Sequence, residues 1–247
     1  LGRYHFSTSF RRDGSSRFSK ESRWGNFWSV GAAWNIKKEK FLADVTSFNN
    51  LNLRASYGAQ GNDRVGNFAY GGFYSIYNSL DMLGLLPSDL PTPDLKWETN
   101  LNLNVGLDVA LFNNRIIAQL DLFDRQSKDL LFEKPLSPST GYSGIDANIG
   151  SLSNRGFDAQ ITGVPVRNKD FQWSITANFG HYTNKITKLP QKEILTGSIG
   201  QYGNTKKMVE GGSIYDFYIK EWAGVDPSNG KATWYKDVVD ETGAVVD

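Results

Sequence analysis

The 247-residue sequence contains no cysteine, so neither a disulfide framework nor a thiolate metal site is open to it. It has only two histidines, His5 and His181. Both sit on alternating stretches, where a solvated or interfacial side chain is expected rather than a catalytic one. No Ser nucleophile elbow, metal-binding His pair or cofactor-binding pattern accompanies them, so enzyme chemistry finds no support. Charge of one sign is not in excess either: 27 Lys and Arg against 26 Asp and Glu leave a formal +1, with the signs interspersed. That excludes the electrostatic footprint of a nucleic-acid partner. No apolar run approaches about 18 residues, which excludes a membrane-spanning helix but not a barrel, whose strands carry no such runs. Two loops look superficially like ligand motifs. Gly61-Asn-Asp-Arg-Val-Gly66 does not open a helix after a parallel strand, so a surface loop is expected. Asp226-Pro-Ser-Asn-Gly230 lacks the Glu of an EF-hand, so a hairpin turn is expected.

What the chain does have is 39% hydrophobic and 13% aromatic residues, too apolar for disorder and enough for one large β domain or two small ones. The clearest stretch is Leu101–Leu111, where Leu101, Leu103, Val105, Leu107, Val109 and Leu111 fill every odd position. Asn102, Asn104, Gly106, Asp108 and Ala110 fill the even ones. Period-2 alternation of this length is a strand with one apolar and one polar face. Ten steps of about 3.4 Å, tilted by about 40°, span roughly 26 Å, close to the ~25 Å apolar band of an outer-membrane barrel. Taken alone, the same strand would suit the core of a soluble sheet.

Similar alternation predicts strands at Tyr4–Arg11, Trp28–Ile36, Leu51–Gln60, Ile116–Phe123, Phe157 to near Val166, and Phe171–Phe179. An eighth is expected at Tyr215–Val225 and the start of a ninth at Lys231–Tyr235. A helical turn is expected at Lys38–Ala43, and a tight turn at Asn113-Asn114, since Asn tolerates positive φ. Between strands, 61–95, 126–147 and 185–212 read as long irregular connections. Long and short connections alternate, which puts the long ones on one rim of an antiparallel array and the short ones on the other. Trp34, Phe112, Phe171 and Trp173 fall near the short rim, and Trp97, Tyr57 and Phe179 near the long one, as aromatic girdles would.

On this reading the whole chain, 1–247, is part of one transmembrane antiparallel β-barrel domain of about nine strands. Arg54, Asn104, Asp108 and Asp121 face the lumen, where hydration makes charge cheap and where a plug or a passing solute could contact them. Phe68, Tyr70, Phe73, Tyr74, Tyr77 and Tyr142 in the long loops are candidates for contact with a substrate or with a covering partner. Two other classes stay open at this point: a soluble carbohydrate-binding β-sandwich or propeller, and a passive porin- or adhesin-like barrel. The start at Leu1, with neither Met nor signal peptide, suggests an internal piece of a longer protein.

An ordered set of short blocks is similar to the SusC/RagA family of TonB-dependent outer-membrane transporters. They are Arg12-Asp-Gly-Ser-Ser-Arg-Phe18, Arg23-Trp-Gly25, Ser29-Val-Gly-Ala-Ala-Trp34, Leu53-Arg-Ala-Ser-Tyr-Gly58 with Gly61-Asn62, and Pro93-Asp-Leu-Lys-Trp-Glu98. Gly106-Leu-Asp108, Phe112-Asn-Asn-Arg115, Asp129-Leu-Leu131, Asn148-Ile-Gly150, Asn154-Arg-Gly156 and Trp222-Ala-Gly-Val-Asp-Pro227 continue the set in order. The resemblance implies a segment of a barrel of about 22 strands, a size at which the lumen is plugged. It also implies outer-membrane lipid around the wall, a SusD-like surface lipoprotein as lid, and energy from TonB through an N-terminal segment absent from these residues. The implied substrates are oligosaccharides or peptides, and no cofactor is implied.

Overall fold

A computed structural model describes residues 2–79, 82–142, 144–198 and 204–235. Fifteen strands occur in it. Seven of them, β1 (Tyr4–Gly14), β2 (Trp24–Asn35), β3 (Phe48–Asn62), β6 (Glu98–Leu111), β7 (Ile116–Lys128), β10 (Ser151–Arg167) and β11 (Gln172–Lys188), form one antiparallel meander in that order. These are the first seven strands expected from alternation, most of them longer than expected: β2 starts four residues earlier, at Trp24, and ends at Asn35, and β11 starts at Gln172 and runs on to Lys188. The others form two-stranded hairpins: β4 (Phe73–Ser79) with β5 (Met82–Asp89), β8 (Leu131–Pro135) with β9 (Gly144–Asn148), β12 (Glu193–Ser198) with β13 (Asn204–Val209), and β14 (Trp222–Val225) with β15 (Ala232–Trp234).

Register decides which residues share a face. Leu53 pairs with Leu107, Leu107 with Leu120, Leu120 with Ala159, and Ala159 with Phe179. Directly paired residues point to the same side of a sheet, so the apolar sets of successive strands merge into one continuous face. Among the described residues nothing packs over that face: Leu122 is 50% exposed and Phe179 58%. The side chains buried most completely, Phe18 and Ile186, lie at the long-connection end instead. Among the described residues the wall has no second layer, so the sandwich alternative lacks its other half. An apolar face of this extent is stable only against an apolar medium.

The short rim is built as expected, with one addition. Asn113 and Asn114 both take positive φ, and so does Phe112 (φ 53°), making the turn 112–115 four residues long. The expected helical turn at Lys38–Ala43 is a pair of 3-10 turns, Ile36–Lys38 and Lys40–Leu42. The Lys37 ammonium holds them by donating to the carbonyls of Leu42 and Val45, each at 2.8 Å.

Two expectations need correction. The long connections are not irregular throughout, because each carries a hairpin. Their Gly and Pro content hides short strands such as β5, with Gly84 and Pro87, and β8, which ends on Pro135. The eighth strand does not run over Tyr215–Val225. Only Trp222–Val225 is strand, while Phe217 forms an isolated bridge to Lys206. Ser213 and Asp216 are the reason: the Asp216 carboxylate accepts from the Ser213 backbone N–H at 2.8 Å, and the Ser213 hydroxyl accepts from that of Tyr215 at 3.1 Å. Side chains that capture local donors compete with a strand ladder. Asp226–Gly230 is the turn joining β14 to β15, with Asp226 accepting from the Ser228 amide at 2.8 Å and Gly230 at φ 70°.

Candidate functional site

The face opposite the apolar one is mainly polar, although Phe123, Ile117 and Tyr182 also lie on it. Ser7, Ser9, Ser29, Gly31, Ser56, Gly58, Asn102 and Asn104 line it on β1 to β6. Gln119, Asp121, Asp158, Gln160, Thr176 and Asn178 continue it to β11. Hydrogen bonds run across the strands: Gln160 donates to Asn178 at 2.8 Å, and the Ser9 and Ser29 hydroxyls lie 2.7 Å apart. Small polar side chains and glycines predominate on this face.

Three of the four expected lumen residues meet at its centre. Arg54 donates through Nε and Nη2 to both oxygens of Asp108, at 3.0 and 3.2 Å, and through Nη2 to Asp121 at 2.9 Å. Arg54 is on β3 and Asp121 on β7, with β6 between them. Gly106 is the residue paired with both. A Cβ there would stand 2.6 Å from Arg54 Cζ and 2.7 Å from Asp121 Oδ1. Glycine therefore opens the path by which one guanidinium bridges two strands. Asn104 lies on the same face, paired with Ser56 and Phe123, and does not join the cluster. Asp158 is the direct cross-strand neighbour of Asp121, so two carboxylates lie side by side, an arrangement that favours a hydrated or cation-bearing surrounding.

The six loop aromatics are not gathered into one patch. Phe68, in a left-handed conformation, meets Tyr70 edge to face at 6.5 Å. Phe73 lines a cavity of about 340 Å³ between the base of the β4–β5 hairpin and the strands of the β8–β9 hairpin, beside Asp89, Glu133 and Asp146. Tyr74 pairs with Pro87 and Tyr77 with Gly84, so the two tyrosines stand on opposite faces of the β4–β5 hairpin. Tyr142 sits in the β8–β9 connection, half-buried, its amide donating to the Thr140 hydroxyl at 3.3 Å. Sequence reasoning overlooked the aliphatic partners on the Tyr74 face: Ile76, Leu83 and Leu85 are all more than 70% exposed. Their spacing on two paired strands was the available signal.

Also overlooked was the lock at the base of the long rim. Phe18 and Phe27 pack on Trp97 with ring centroids 5.5 and 5.3 Å from it, and Leu95, two residues before Trp97, is buried as well. Trp97 Nε1 donates to the Arg23 carbonyl at 2.9 Å, and the Ser19 hydroxyl to that of Pro93 at 2.8 Å. Trp97 is thus a rim-core residue, not part of a lipid-facing girdle. Ser15 and Arg17 both donate to Asp63, the hydroxyl to its carboxylate and the guanidinium to its carbonyl, which fixes the 61–66 loop. Asn148 completes the lock, accepting from the Lys96 amide at 2.8 Å and donating to the carbonyls of Lys96 and Asp129.

Comparison with known proteins places these features in context. Residues 1–240 match the family model described as "TonB dependent receptor-like, beta-barrel". The TonB-dependent receptor P3 of Formosa agariphila is 37% identical over 231 residues, 90% of this chain and 23% of that protein. The TonB-dependent receptor SusC of Bacteroides thetaiotaomicron is 37% identical over 198 residues, 76% of this chain and 20% of that protein. Among solved structures, the RagAB peptide transporter superposes with a TM-score of 0.85 at 32% identity, covering 94% of this chain and 25% of that one. The RagAB importer in its closed-closed state gives 0.86 over 99% of this chain. The chain thus spans about a quarter of the length of the relatives it matches.

Proposed function

The chain belongs to the TonB-dependent receptor-like β-barrel family, and from that premise we propose that it forms part of the wall and mouth of a SusC-like transporter in an outer membrane. The solute is hydrophilic, an oligosaccharide or a peptide. It is held between the long-loop rim and a SusD-like surface lipoprotein and passes inward when TonB acts on a plug. The wall's task is passage, not chemistry. The observation that carries the reading is the contrast between the two faces of one sheet: Leu107, Leu120 and Phe179 on the side without a packing layer, Arg54, Asp108 and Asp121 on the other. A lumen lined by short hydroxyls, amides and one ion cluster can exchange hydrogen bonds with a solute without an apolar trap. The test is uptake of labelled oligosaccharides and peptides by cells carrying the intact transporter, with and without its lipoprotein partner and TonB. Import that persists without TonB overturns active transport. An intact protein that is folded and monodisperse without detergent overturns the barrel.

A further inference from the structure

We propose that the outward face of the wall, at the long-loop ends of β7, β10 and β11, binds the phosphate head group of a membrane lipid. The inference rests on the barrel reading, which makes this face the lipid side and the long-loop rim the outer boundary of the membrane.

The register builds the site row by row. On these three strands Leu122 and Phe157, beside His181, form the last row with large apolar side chains. The next three rows on the same face are Asp124–Arg155–Thr183, Gln126–Ser153–Lys185 and Lys128–Ser151–Lys188. Successive rows lie about 7 Å apart along the strands. Four cations therefore stand immediately beyond the apolar band. They line one open groove of about 590 Å³. The one carboxylate in these three rows is already occupied: Asp124 pairs with Arg155 Nε at 2.9 Å and also accepts from Gln126 at 3.3 Å and from Ser153 at 3.4 Å. Lys128, Lys185 and Lys188 enter no ion pair among the described residues. The groove thus carries three uncompensated charges.

This is not a general property of the wall. On β6 and β3 the corresponding register rows hold Leu101 and Ala59, then Thr99 and Gly61, none of them charged. A phosphorylated lipid fits both halves of the surface. Its acyl chains lie along Leu122, Phe157 and Phe179, and its phosphate reaches Arg155 and the lysines. Basic clusters at a membrane boundary gain about fivefold in affinity for anionic head groups per cation.

Native mass spectrometry of the detergent-extracted intact transporter tests this with phosphatidic acid, with diacylglycerol, which lacks the phosphate, and with inorganic phosphate as competitor. Phosphatidic acid should be retained over diacylglycerol. Replacing Lys128, Lys185 and Lys188 together by Ser should reduce that retention at least about tenfold, while three Arg replacements preserve it. Heat-modifiable migration on gels reports whether each variant is folded. Should the triple Ser variant not fold, Lys185→Glu alone should still lower retention. Equal retention by folded wild type and Ser variant, or of the two lipids, overturns the proposal. So does displacement by inorganic phosphate, which would mark a free-anion site. An intact protein monodisperse without detergent would instead overturn the barrel reading beneath it.

Discussion

The wall and the long-loop rim are made from the same chain but are held together in opposite ways. The wall is seven strands in long, mostly uninterrupted register, with a polar face and an apolar face and almost nothing buried between protein layers. Its ladder satisfies the backbone, and its apolar side chains are satisfied by whatever lies outside. The rim has short hairpins and little ladder, yet it contains fully buried Phe18 and nearly buried Leu95. It is pinned by side-chain to backbone hydrogen bonds from Ser19, Trp97 and Asn148. The difference teaches that the wall depends on its solvent and the rim on its knots. Changes of residue should therefore separate the two.

The largest effect is expected at the knot. Phe18→Ala empties the centre of a small core, and such truncations cost about 3–5 kcal/mol where the side chain is fully buried. The loss should be local. Limited proteolysis should open the 14–24 and 61–97 connections while heat-modifiable migration of the wall is kept. Simultaneous loss of both would merge the two regions and break the contrast.

Next comes the wall's outer face. Leu107→Arg puts a charge near the middle of the apolar band, at an expected cost of about 2–4 kcal/mol in lipid refolding. Rim proteolysis should not change in the protein that folds. If Arg at 107 costs no more than Arg at the lumen position 104, which stands outside the ion cluster, the lipid-out assignment fails. A smaller effect, about 1–3 kcal/mol by overpacking, is expected for Gly106→Val, since any Cβ there displaces Arg54 from Asp121. Arg54→Gln should recover part of that loss when combined with it. A strictly additive pair would show that Gly106 has another role.

How much of this could be read in advance follows the same division. Every wall strand was legible, because period-2 alternation is imposed locally by having a different medium on each face. Gly106 looked like one more small residue on a polar face. Its meaning depends on Arg54 and Asp121 meeting across it, which only the register reveals. In the rim, the sequence places Trp97 in a girdle because aromatic residues near a strand end have two possible fates. Burial against Phe18, which is 79 positions away, is not visible in a window of ten residues. The β4–β5 hairpin was hidden by Pro87 and Gly84, which read as loop residues although they sit in paired positions. Tyr215–Ile219 erred the other way: its apolar content suggested a strand until Ser213 and Asp216 took the local amides.

The smallest expected effect lies at the opposite rim, where the wall has a knot of its own. Glu39 accepts from the Tyr4 hydroxyl at 2.6 Å and from Trp34 Nε1 at 3.1 Å, with Arg3 at 3.5 Å. The hydrogen bonds from Tyr4 and Trp34, in that order, hold its carboxyl below the ordinary carboxylate range. A depressed value in the folded state means that the carboxylate's contribution is fully present above the unfolded value of about 4.3 and is lost as pH falls through the folded one. Thermal stability in detergent should accordingly fall for the wild type relative to Glu39→Gln as the medium is acidified below about pH 4, with a constant difference above about pH 5. Because the group is a surface pair at the rim, the shift in midpoint should be modest and should shrink with salt. An acid limb of equal size in the Gln variant would remove Glu39 from the account and leave the short rim held by its turns alone.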